Sequence, residues 1–352
     1  MTRPTLSIDL LAIVENYRRI AQRVKPAEAA AVVKADGYGL GAKPVALALA
    51  AAGCRTFFVA HTEEGAELRP AIPDAKLYIL HGYTAAQKQL FAEHKLSPVL
   101  SSVGQLSDWL KSGLRVAYAL HLDTGMSRLG LSEPDLKTVE GAASPALVMS
   151  HLASSDDPEH EKNQSQLARF KAMAKRFPGT PLSLAASGGC FLGPSYTFDL
   201  VRPGIALYGG NPGKSAENPM KGTVTLSAPL LQVRSIDRGD TVGYGATYAA
   251  SGPRRLGIAA FGYADGLMRS LSNRGHGVIA GVKCPIVGRV SMDLVTLDVT
   301  QVPERAAHAG AEVEFIGPNQ TVDELAHTAG TLPYEIYTRL GPRIARTYTG
   351  AR

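Results

Sequence analysis

The sequence has few cysteines, no long apolar run and no cluster of basic residues. Its three cysteines, Cys54, Cys190 and Cys284, are far apart and odd in number, which suits neither a disulfide framework nor a zinc site. No stretch reaches the roughly 18 apolar residues that a membrane span needs, and the first ten residues lack the apolar core of a signal peptide. We therefore expect a cytoplasmic protein with no metal site and no membrane partner.

Basic residues are in excess but dispersed. The 352 residues include 37 Lys and Arg against 31 Asp and Glu, a formal net charge of +6. Because these residues form no basic run, the charge does not predict a nucleic-acid partner, and a local anionic ligand is enough to explain it. A hydrophobic content of 45% is ordinary for a globular protein, and the length allows one large domain and a smaller one.

Short apolar runs recur in the first part of the chain and alternate with segments of helix-forming composition, such as Lys43–Ala52 and Pro158–Phe177, the latter with Asp157 as its N-cap. Eight strands separated by helices predict a parallel (β/α)8 barrel of the TIM type. The eight apolar runs that predict buried strands are Ala29–Val33, Thr56–Ala60, Lys76–Leu80, Pro98–Leu100, Arg115–Leu122, Ala146–Ser150, Pro181–Leu184 and Val201–Tyr208.

The pattern changes near Thr223, where short alternating stretches broken by glycine and proline replace the helical segments. Pro, Gly, Ser and Asn cluster at residues 212–222, which is typical of a boundary. We therefore predict a barrel domain at residues 1–218 and a smaller, mostly β domain at residues 219–352. The predicted strands of the second domain are Leu226–Val233, Gly257–Phe261, Gly277–Ile279 and Ile286–Val290.

The carboxyl ends of barrel strands form the active face, so polar residues that close the strands become candidates together. Lys34 follows a buried apolar run, where an ammonium either extends to solvent or has a depressed pKa suited to imine chemistry. Gly188, Gly189 and Gly204 lie where barrels commonly bind phosphate. A phosphate site beside a buried lysine suggests pyridoxal phosphate, although a Schiff-base aldolase acting on a phosphorylated sugar fits nearly as well. The further candidates on this face are Arg128, His151, Ser187 and Arg202.

Longer motifs decide between these alternatives. The stretch Ala31–Gly41 (AVVKADGYGLG) resembles the pyridoxal-phosphate signature of the alanine racemases. The resemblance implies an N-terminal barrel, a C-terminal β domain, a head-to-tail homodimer and the interconversion of L-alanine and D-alanine. Six further motifs follow in the family's order: His121–Gly130 (HLDTGMSRLG), Val201–Gly209 (VRPGIALYG), Val242–Tyr248 (VGYGATY), Gly262–Gly266 (GYADG), Gly288–Asp293 (GRVSMD) and Pro333–Glu335 (PYE).

The resemblance implies two catalytic residues on opposite faces of the substrate α-carbon. Lys34 would bind the cofactor as an imine, exchange it for the substrate amine and act as one base. Tyr244, from the C-terminal domain of a partner subunit, would act as the other. Because an unperturbed tyrosine has a pKa near 10, its surroundings must favour the phenolate, and His151 with the cationic rim would provide this.

The same resemblance assigns the cofactor contacts. Arg202 would face the pyridine nitrogen, and because a guanidinium keeps its proton, the ring would be a weaker electron sink and transamination would be disfavoured. Arg128 would contact the cofactor's phenolate oxygen. The phosphate would be held by side chains and backbone N–H groups of Tyr38, Ser187, Gly204, Ile205 and Tyr334.

For the substrate carboxylate, the resemblance implies Arg128 and the backbone N–H of Met292, the latter from the partner chain. Asp293 would help to shape this pocket, while Tyr263 and Tyr334 would narrow its entrance. Such crowding favours a small substrate such as alanine.

Two positions depart from the family's pattern. Where the family often has a lysine that can be carbamylated to orient the rim arginine, this chain has His121, which supplies no negative charge. Another anion, such as chloride, or no charged group would then hold Arg128. Ala185 and Ala186 precede Ser187 where the family commonly has asparagine, which predicts changed hydrogen bonds without loss of the cofactor.

Proteins with other functions are built on the same barrel. A pyridoxal-phosphate carrier without turnover would share the barrel but lack the second domain that contains Tyr244, Met292 and Asp293. A decarboxylase of this fold would place an acidic group at the pyridine nitrogen and a cysteine motif near the C-terminal side, which Arg202 and Ser291 do not match. A racemase of broader specificity stays open, as does the choice between D-alanine biosynthesis for the cell wall and alanine catabolism.

Overall fold

The computed structural model of the chain describes residues 3–139, 141, 144–214 and 217–350. Among these residues, no helix combines the length and the apolar character that crossing a bilayer requires.

The chain divides into two compact units. One unit consists of Ile13–Lys221, and the other combines Met1–Ala12 with Gly222–Arg352. The first elements are strand β1 (Thr5–Asp9) and helix α1 (Leu10–Arg23). Asp9 caps the start of this helix, because its carboxylate oxygen accepts a hydrogen bond from the Ala12 N–H at 3.0 Å.

The Ile13–Lys221 unit is a parallel barrel of the TIM type, as predicted. Its strands are β2 (Glu28–Ala29), β3 (Ala31–Val32), β4 (Thr56–Val59), β5 (Lys76–Ile79), β6 (Ser97–Leu100), β7 (Ala119–His121), β8 (Leu147–Met149), β9 (Leu182–Ser183) and β10 (Leu200–Val201). Strands β3 to β9 pair in sequence order. The ring closes because β10 pairs in parallel with β2 and the Arg202 N–H donates to the Ala185 carbonyl, at 2.9 Å, beside β9.

Strands of the barrel are buried on both faces, which explains their continuous apolar runs. Every residue of β4 and of β6 is buried, for example. The helices that alternate with the strands after β3 are α2 (Ala42–Ala51), α3 (Thr62–Leu68), α4 (Lys88–Glu93), α5 (Val103–Ser112), α6 (Glu133–Val139) and α7 (Lys162–Ala174).

Some predicted bounds in this unit were wrong. The run Val201–Tyr208 is a strand only to Val201, because Pro203 is followed by turns in which the Leu207 N–H donates to the Gly204 carbonyl at 2.8 Å. The helix predicted at Pro158–Phe177 is α7. Its expected N-cap, Asp157, lies in a preceding turn, where its carbonyl accepts a 2.8 Å hydrogen bond from the Asn163 side chain.

The second unit is mostly β, also as predicted. Its long strand β11 pairs antiparallel with β1, β14 and β18. The predicted strand Ile286–Val290 was wrong, because β16 ends at Pro285 and Gly288 turns the chain with a φ of 79°. The strands and helices after residue 222 are β11 (Val224–Ile236), β12 (Thr241–Val242), β13 (Tyr248–Ala249), β14 (Arg254–Ala259), β15 (His276–Ile279), β16 (Val282–Pro285), β17 (Val295–Asp298), β18 (Glu312–Ile316), α8 (Val322–Ala329), α9 (Pro333–Thr338) and β19 (Ala345–Thr349).

Strand β1 belongs to this second unit although it comes first in the chain. It pairs antiparallel with β11 and parallel with β19, so that Thr5 lies opposite both Ser227 and Ala345. Leu6 and Ile8 are its buried residues. The sequence-based division at residues 218 and 219 grouped this segment with the barrel, whereas its strand partners are those of the β unit.

Candidate active site

Lys34 lies just after β3, at the carboxyl end of that barrel strand. Its side chain is half-buried, and its pKa is lowered by burial and then by the positive charge of Arg128, with Glu64 acting in the opposite direction. A larger fraction of this amine is therefore uncharged at neutral pH than of an exposed lysine, which suits attack on a carbonyl.

The residues after Lys34 form one turn of left-handed helix. Ala35 (φ 54°, ψ 50°), Asp36 (φ 52°, ψ 50°) and Gly37 all have positive φ, a conformation that costs about 1–2 kcal/mol for a residue with a Cβ. The Gly39 N–H donates to the Ala35 carbonyl at 2.7 Å. The turn directs the Tyr38 ring into the barrel unit, where it is buried.

Tyr38, Ser187 and Gly204 converge on one spot. The buried Ser187 hydroxyl oxygen accepts hydrogen bonds from the Gly204 N–H at 2.9 Å and the Ala206 N–H at 3.3 Å. A Cβ on Gly204 would overlap the Tyr38 hydroxyl, so only glycine allows this approach. Ile205 next to it is fully buried. Hydroxyl groups and backbone N–H groups clustered in this way fit a phosphate group.

Arg202 places a fixed positive charge inside the barrel. It is only 3% exposed, and its guanidinium donates to the Ser150 carbonyl at 2.5 Å, the Leu184 carbonyl at 3.3 Å and the Ser183 hydroxyl. Burial lowers its pKa to about 10. Arg202 is therefore still charged at neutral pH, and three acceptors fix its orientation.

Two histidines next to these cations are held neutral. His121 ends β7 and is buried, and burial together with Arg202 and Arg128 lowers its pKa to about 4. His151 follows β8, and burial together with the same arginines lowers its pKa to about 3. Neutral imidazoles can accept hydrogen bonds from neighbouring groups.

Arg128 lies on a closed loop above His121. The loop closes because the Leu131 N–H donates to the His121 carbonyl at 2.8 Å, and the Asp123 N–H donates back to the Leu131 carbonyl at 3.0 Å. Asp123 also accepts from the Gly125 N–H at 2.8 Å. Arg128 is exposed, and among the described residues no carboxylate forms an ion pair with it.

Sequence reasoning missed Gln166, which joins the loops of His151 and Arg128. The Gln166 side chain is fully buried, donates to the His151 carbonyl at 2.9 Å and the Thr124 hydroxyl at 3.2 Å, and accepts from the Ala153 N–H at 2.8 Å. Its signal in the sequence was weak, because a glutamine on a helix is usually exposed.

The other predicted residues belong to the β unit, where Tyr244 is the most exposed of them at 73%. It lies in the turn between β12 and β13, between Gly243 and Gly245, which have φ values of 71° and 73°. Asn273 supports this turn, since its side chain donates to the Thr247 hydroxyl at 3.1 Å and accepts from the Gly288 N–H at 2.6 Å. Tyr244 is therefore presented to solvent on a supported turn of the β unit.

Met292 and Asp293 form a tight turn that packs against Gly262, where a Cβ would overlap the Met292 carbonyl. The Arg343 side chain holds this turn by pairing with Asp293 at 2.8 Å and with the buried Asp265 at 2.9 Å. Sequence reasoning missed Arg343, which lies 50 residues from the Asp293 that it holds. It gave no role to Asp265, although that residue belongs to the Gly262–Gly266 motif.

Tyr263 and Tyr334 are also partly exposed in the β unit, Tyr263 beside the Met292 turn and Tyr334 in the first turn of α9. The Tyr263 N–H donates to the Ser291 carbonyl at 3.0 Å, which joins the Gly262–Gly266 and Gly288–Asp293 motifs.

The predicted site residues thus form two groups, one in each unit. Within the part of the chain that the structure describes, no three His, Cys, Asp or Glu side chains are arranged to hold a metal ion.

Comparisons with known proteins agree along the whole chain. Residues 8–212 match the family model described as "Alanine racemase, N-terminal domain", and residues 223–348 match "Alanine racemase, C-terminal domain". The chain is 47% identical to an alanine racemase of Rhodospirillum rubrum, over 99% of this chain and 96% of the relative. A crystal structure of alanine racemase from Bartonella henselae with covalently bound pyridoxal phosphate is 40% identical, with a TM-score of 0.94 over 99% of this chain and 100% of that one. The biosynthetic alanine racemase of Pseudomonas aeruginosa is 34% identical, with a TM-score of 0.93 and the same coverage.

Proposed function

Because this chain belongs to the alanine racemase family, we propose how its own residues divide the work of interconverting L-alanine and D-alanine. The enzyme is an amino-acid racemase that depends on pyridoxal phosphate. When bound, this cofactor carries the amino acid and makes its α-hydrogen acidic. The observation that carries the proposal is the half-buried Lys34, with a lowered pKa, at the active face of the barrel.

The residues of the barrel unit fit this cofactor. The Lys34 amine is available for a covalent bond to an aldehyde. The Ser187 hydroxyl, the Tyr38 hydroxyl and the backbone at Gly204 and Ile205 fit a phosphate, with Tyr334 as a further phosphate contact that we carry over from the family resemblance. Arg202 fits a ring nitrogen that bears no proton, because its guanidinium can donate a hydrogen bond and keeps its own proton at neutral pH.

Two bases move the α-proton in this proposal. Lys34 removes or returns it on one face of the substrate, and Tyr244 of a second copy of the chain acts on the opposite face. A tyrosine with a pKa near 10 is a weak base at neutral pH, so its surroundings must favour the phenolate through hydrogen-bond donors or positive charge. The neutral His151 imidazole has one ring N–H that can donate a hydrogen bond to that phenolate, and the positive charge of the cationic rim acts in the same direction.

Arg202 limits side reactions. Its guanidinium stays charged and fixed by three acceptors, so it does not hand a proton to the cofactor ring. A bound cofactor would then draw less negative charge away from the α-carbon, which would favour return of the proton to that carbon. Arg128 and the backbone N–H of Met292 from the second copy of the chain bind the substrate carboxylate, while Asp293 shapes that pocket and Tyr263 and Tyr334 limit its size.

The need for Tyr244 from another copy makes the active enzyme a head-to-tail homodimer. The 73% exposure of the Tyr244 side chain supports this assembly, because tyrosine is enriched at protein–protein interfaces. Sedimentation at increasing protein concentration tests the assembly, and an active monomer would contradict it.

We also propose a cytoplasmic location. It is supported by the three buried cysteines, which are all free, as is usual in reducing compartments. Cell fractionation tests this location.

One set of measurements tests the residue roles. The holoenzyme is incubated with each alanine enantiomer in D2O while optical rotation and α-deuterium incorporation are followed. Tyr244→Phe should impair α-proton exchange from one enantiomer far more than from the other, and Tyr348→Phe, another exposed tyrosine of the β unit, should impair neither. Borohydride reduction and peptide mapping should place the cofactor on Lys34. Equal loss from both enantiomers, with the cofactor still on Lys34, would rule out the two-base assignment.

A further inference from the structure

Glu64 makes a contact that its place in the chain does not require. It is the third residue of α3, and one carboxylate oxygen accepts hydrogen bonds from the N–H groups of Ala60, at 2.7 Å, and His61, at 3.0 Å. This is the ordinary capping of a helix start. The other oxygen reaches a different loop and accepts from the Ala35 N–H at 2.6 Å. A single carboxylate therefore joins the start of α3 to the residue that follows Lys34.

The Ala35 contact matters because of the backbone at that point. Ala35 and Asp36 are both left-handed, and residues with a Cβ keep this conformation only where their surroundings hold it. A second carboxylate contact comes from within the turn, where Asp36 accepts from the Ala42 N–H at 2.8 Å. Two carboxylates thus hold a strained turn whose first residue is the lysine.

We propose that Glu64 is a positioning residue for Lys34, which it orients by holding the left-handed turn that begins there. The short, charge-assisted bond to the Ala35 N–H fixes the peptide directly after the lysine, and with it the direction in which the lysine side chain leaves the backbone. This inference rests on the proposed role of Lys34 as the cofactor lysine.

The charge of Glu64 also affects the pKa of the Lys34 amine. Burial and Arg128 lower the pKa of Lys34, and Glu64 is the neighbour that raises it. His81 and His151 also lie within electrostatic range of the lysine. Glu64 therefore has two effects: its negative charge partly offsets the positive charges around the Lys34 amine, and its hydrogen bond holds the backbone at Ala35. Different substitutions can separate these effects.

The test compares three variants of the full chain with the unmodified chain. Glu64→Gln removes the charge and one of the two acceptor oxygens. Glu63→Gln is the matched control, one position earlier in α3 and exposed. The double variant Glu64→Gln/Ala35→Gly places a glycine at position 35. Glycine adopts positive φ without strain, so the left-handed turn no longer needs the Glu64 carboxylate to hold it. Each variant is measured for its dissociation constant for pyridoxal phosphate, for amide hydrogen exchange in the peptide that contains Ala35, and for its thermal midpoint.

We expect Glu64→Gln to weaken cofactor binding about 10-fold or more and to speed exchange at Ala35, while Glu63→Gln stays within about twofold of the unmodified chain. Adding Ala35→Gly should recover most of the lost affinity. A merely structural role in capping α3 would not respond to that glycine. Binding in Glu64→Gln equal to that in Glu63→Gln, or no recovery in the double variant, overturns the proposal.

If Glu64→Gln does not fold, Glu64→Asp replaces it, because the shorter carboxylate can still cap α3 but does not span to Ala35. The same loss and the same recovery with Ala35→Gly are then expected, and their absence has the same meaning. Borohydride mapping of the unmodified chain separates the two proposals. Cofactor found elsewhere than Lys34 contradicts the proposed function, whereas cofactor on Lys34 with no effect of Glu64→Gln contradicts only the present inference.

Discussion

Replacing His121 by glutamine should change how the stability of the chain depends on pH. His121 is 8% exposed, and burial with Arg202 and Arg128 lowers its pKa from 6.5 to about 4. In the unfolded chain the imidazole recovers its ordinary pKa of about 6.5. The unfolded chain therefore binds more protons than the folded one between these values, so His121 makes the fold less stable as pH falls through this window.

The size of the effect follows from the two pKa values. One pH unit corresponds to about 1.4 kcal/mol, so the full difference is about 3 kcal/mol once the pH is below 4. At pH 5 the loss relative to pH 8 is about 2 kcal/mol. Glutamine does not titrate, and the His121→Gln variant should therefore lose less stability than the unmodified chain on going from pH 8 to pH 5, by about that amount.

The assay is denaturant-induced unfolding of both chains, without added cofactor, at several pH values between 5 and 8. Taking the difference between the two chains at each pH removes the titration of groups that His121 does not affect. A difference that stays constant across this range would refute the reasoning. An independent measurement is the NMR titration of the nine histidines: the ring signal that disappears in His121→Gln should show no midpoint above pH 5, and a midpoint between 6 and 7 would also refute it.

Three further substitutions have defined outcomes. Gly204→Ala should force the Tyr38 hydroxyl to move, which should lower the unfolding free energy by about 1–3 kcal/mol and weaken cofactor binding; unchanged affinity would contradict the convergence of these residues on the phosphate. Arg69→Met removes a guanidinium that donates to five backbone carbonyls, so unfolding should become easier by about 2–4 kcal/mol with no change in KM for alanine. Arg343→Leu should release Asp293 and raise KM about 10-fold with a smaller change in kcat, and a selective loss of kcat would count against its role in holding the carboxylate pocket.

The barrel strands could be predicted because burial on both faces leaves a direct trace in the sequence. Thr56–Ala60 is a continuous apolar run for this reason, and the structure has β4 at Thr56–Val59. Lys34 was noticeable because a lysine at the end of such a run is unusual. The start of α7 could not be placed in the same way. Asp157 and Pro158 are typical helix-start residues, but hydrogen bonds to the Asp157 carbonyl from the Asn163 side chain and the His160 N–H keep this segment in a turn.

The supports of the site were beyond local reasoning. The left-handed turn at Ala35 depends on Glu64, which belongs to the next strand–helix unit. Ala35 itself gives no sign of this conformation in the sequence, since alanine favours the right-handed form. Arg343 likewise acts on a motif 50 residues earlier. Chemical groups leave motifs in a sequence, whereas the contacts that orient those groups arise only when distant segments meet.

The pairing of β1 with β11 and β19 has a consequence for how the chain is made. Thr5–Asp9 is synthesised before every other strand described above, yet its two neighbours are Val224–Ile236 and Ala345–Thr349. During synthesis the Ile13–Lys221 barrel can fold while β1 still has unpaired backbone groups on both edges. Such edges are sites of mispairing with other chains, and the short, alternating polar composition of β1 limits that risk. Of the strands that the structure describes, the earliest to leave the ribosome is thus among the last to be enclosed in its sheet.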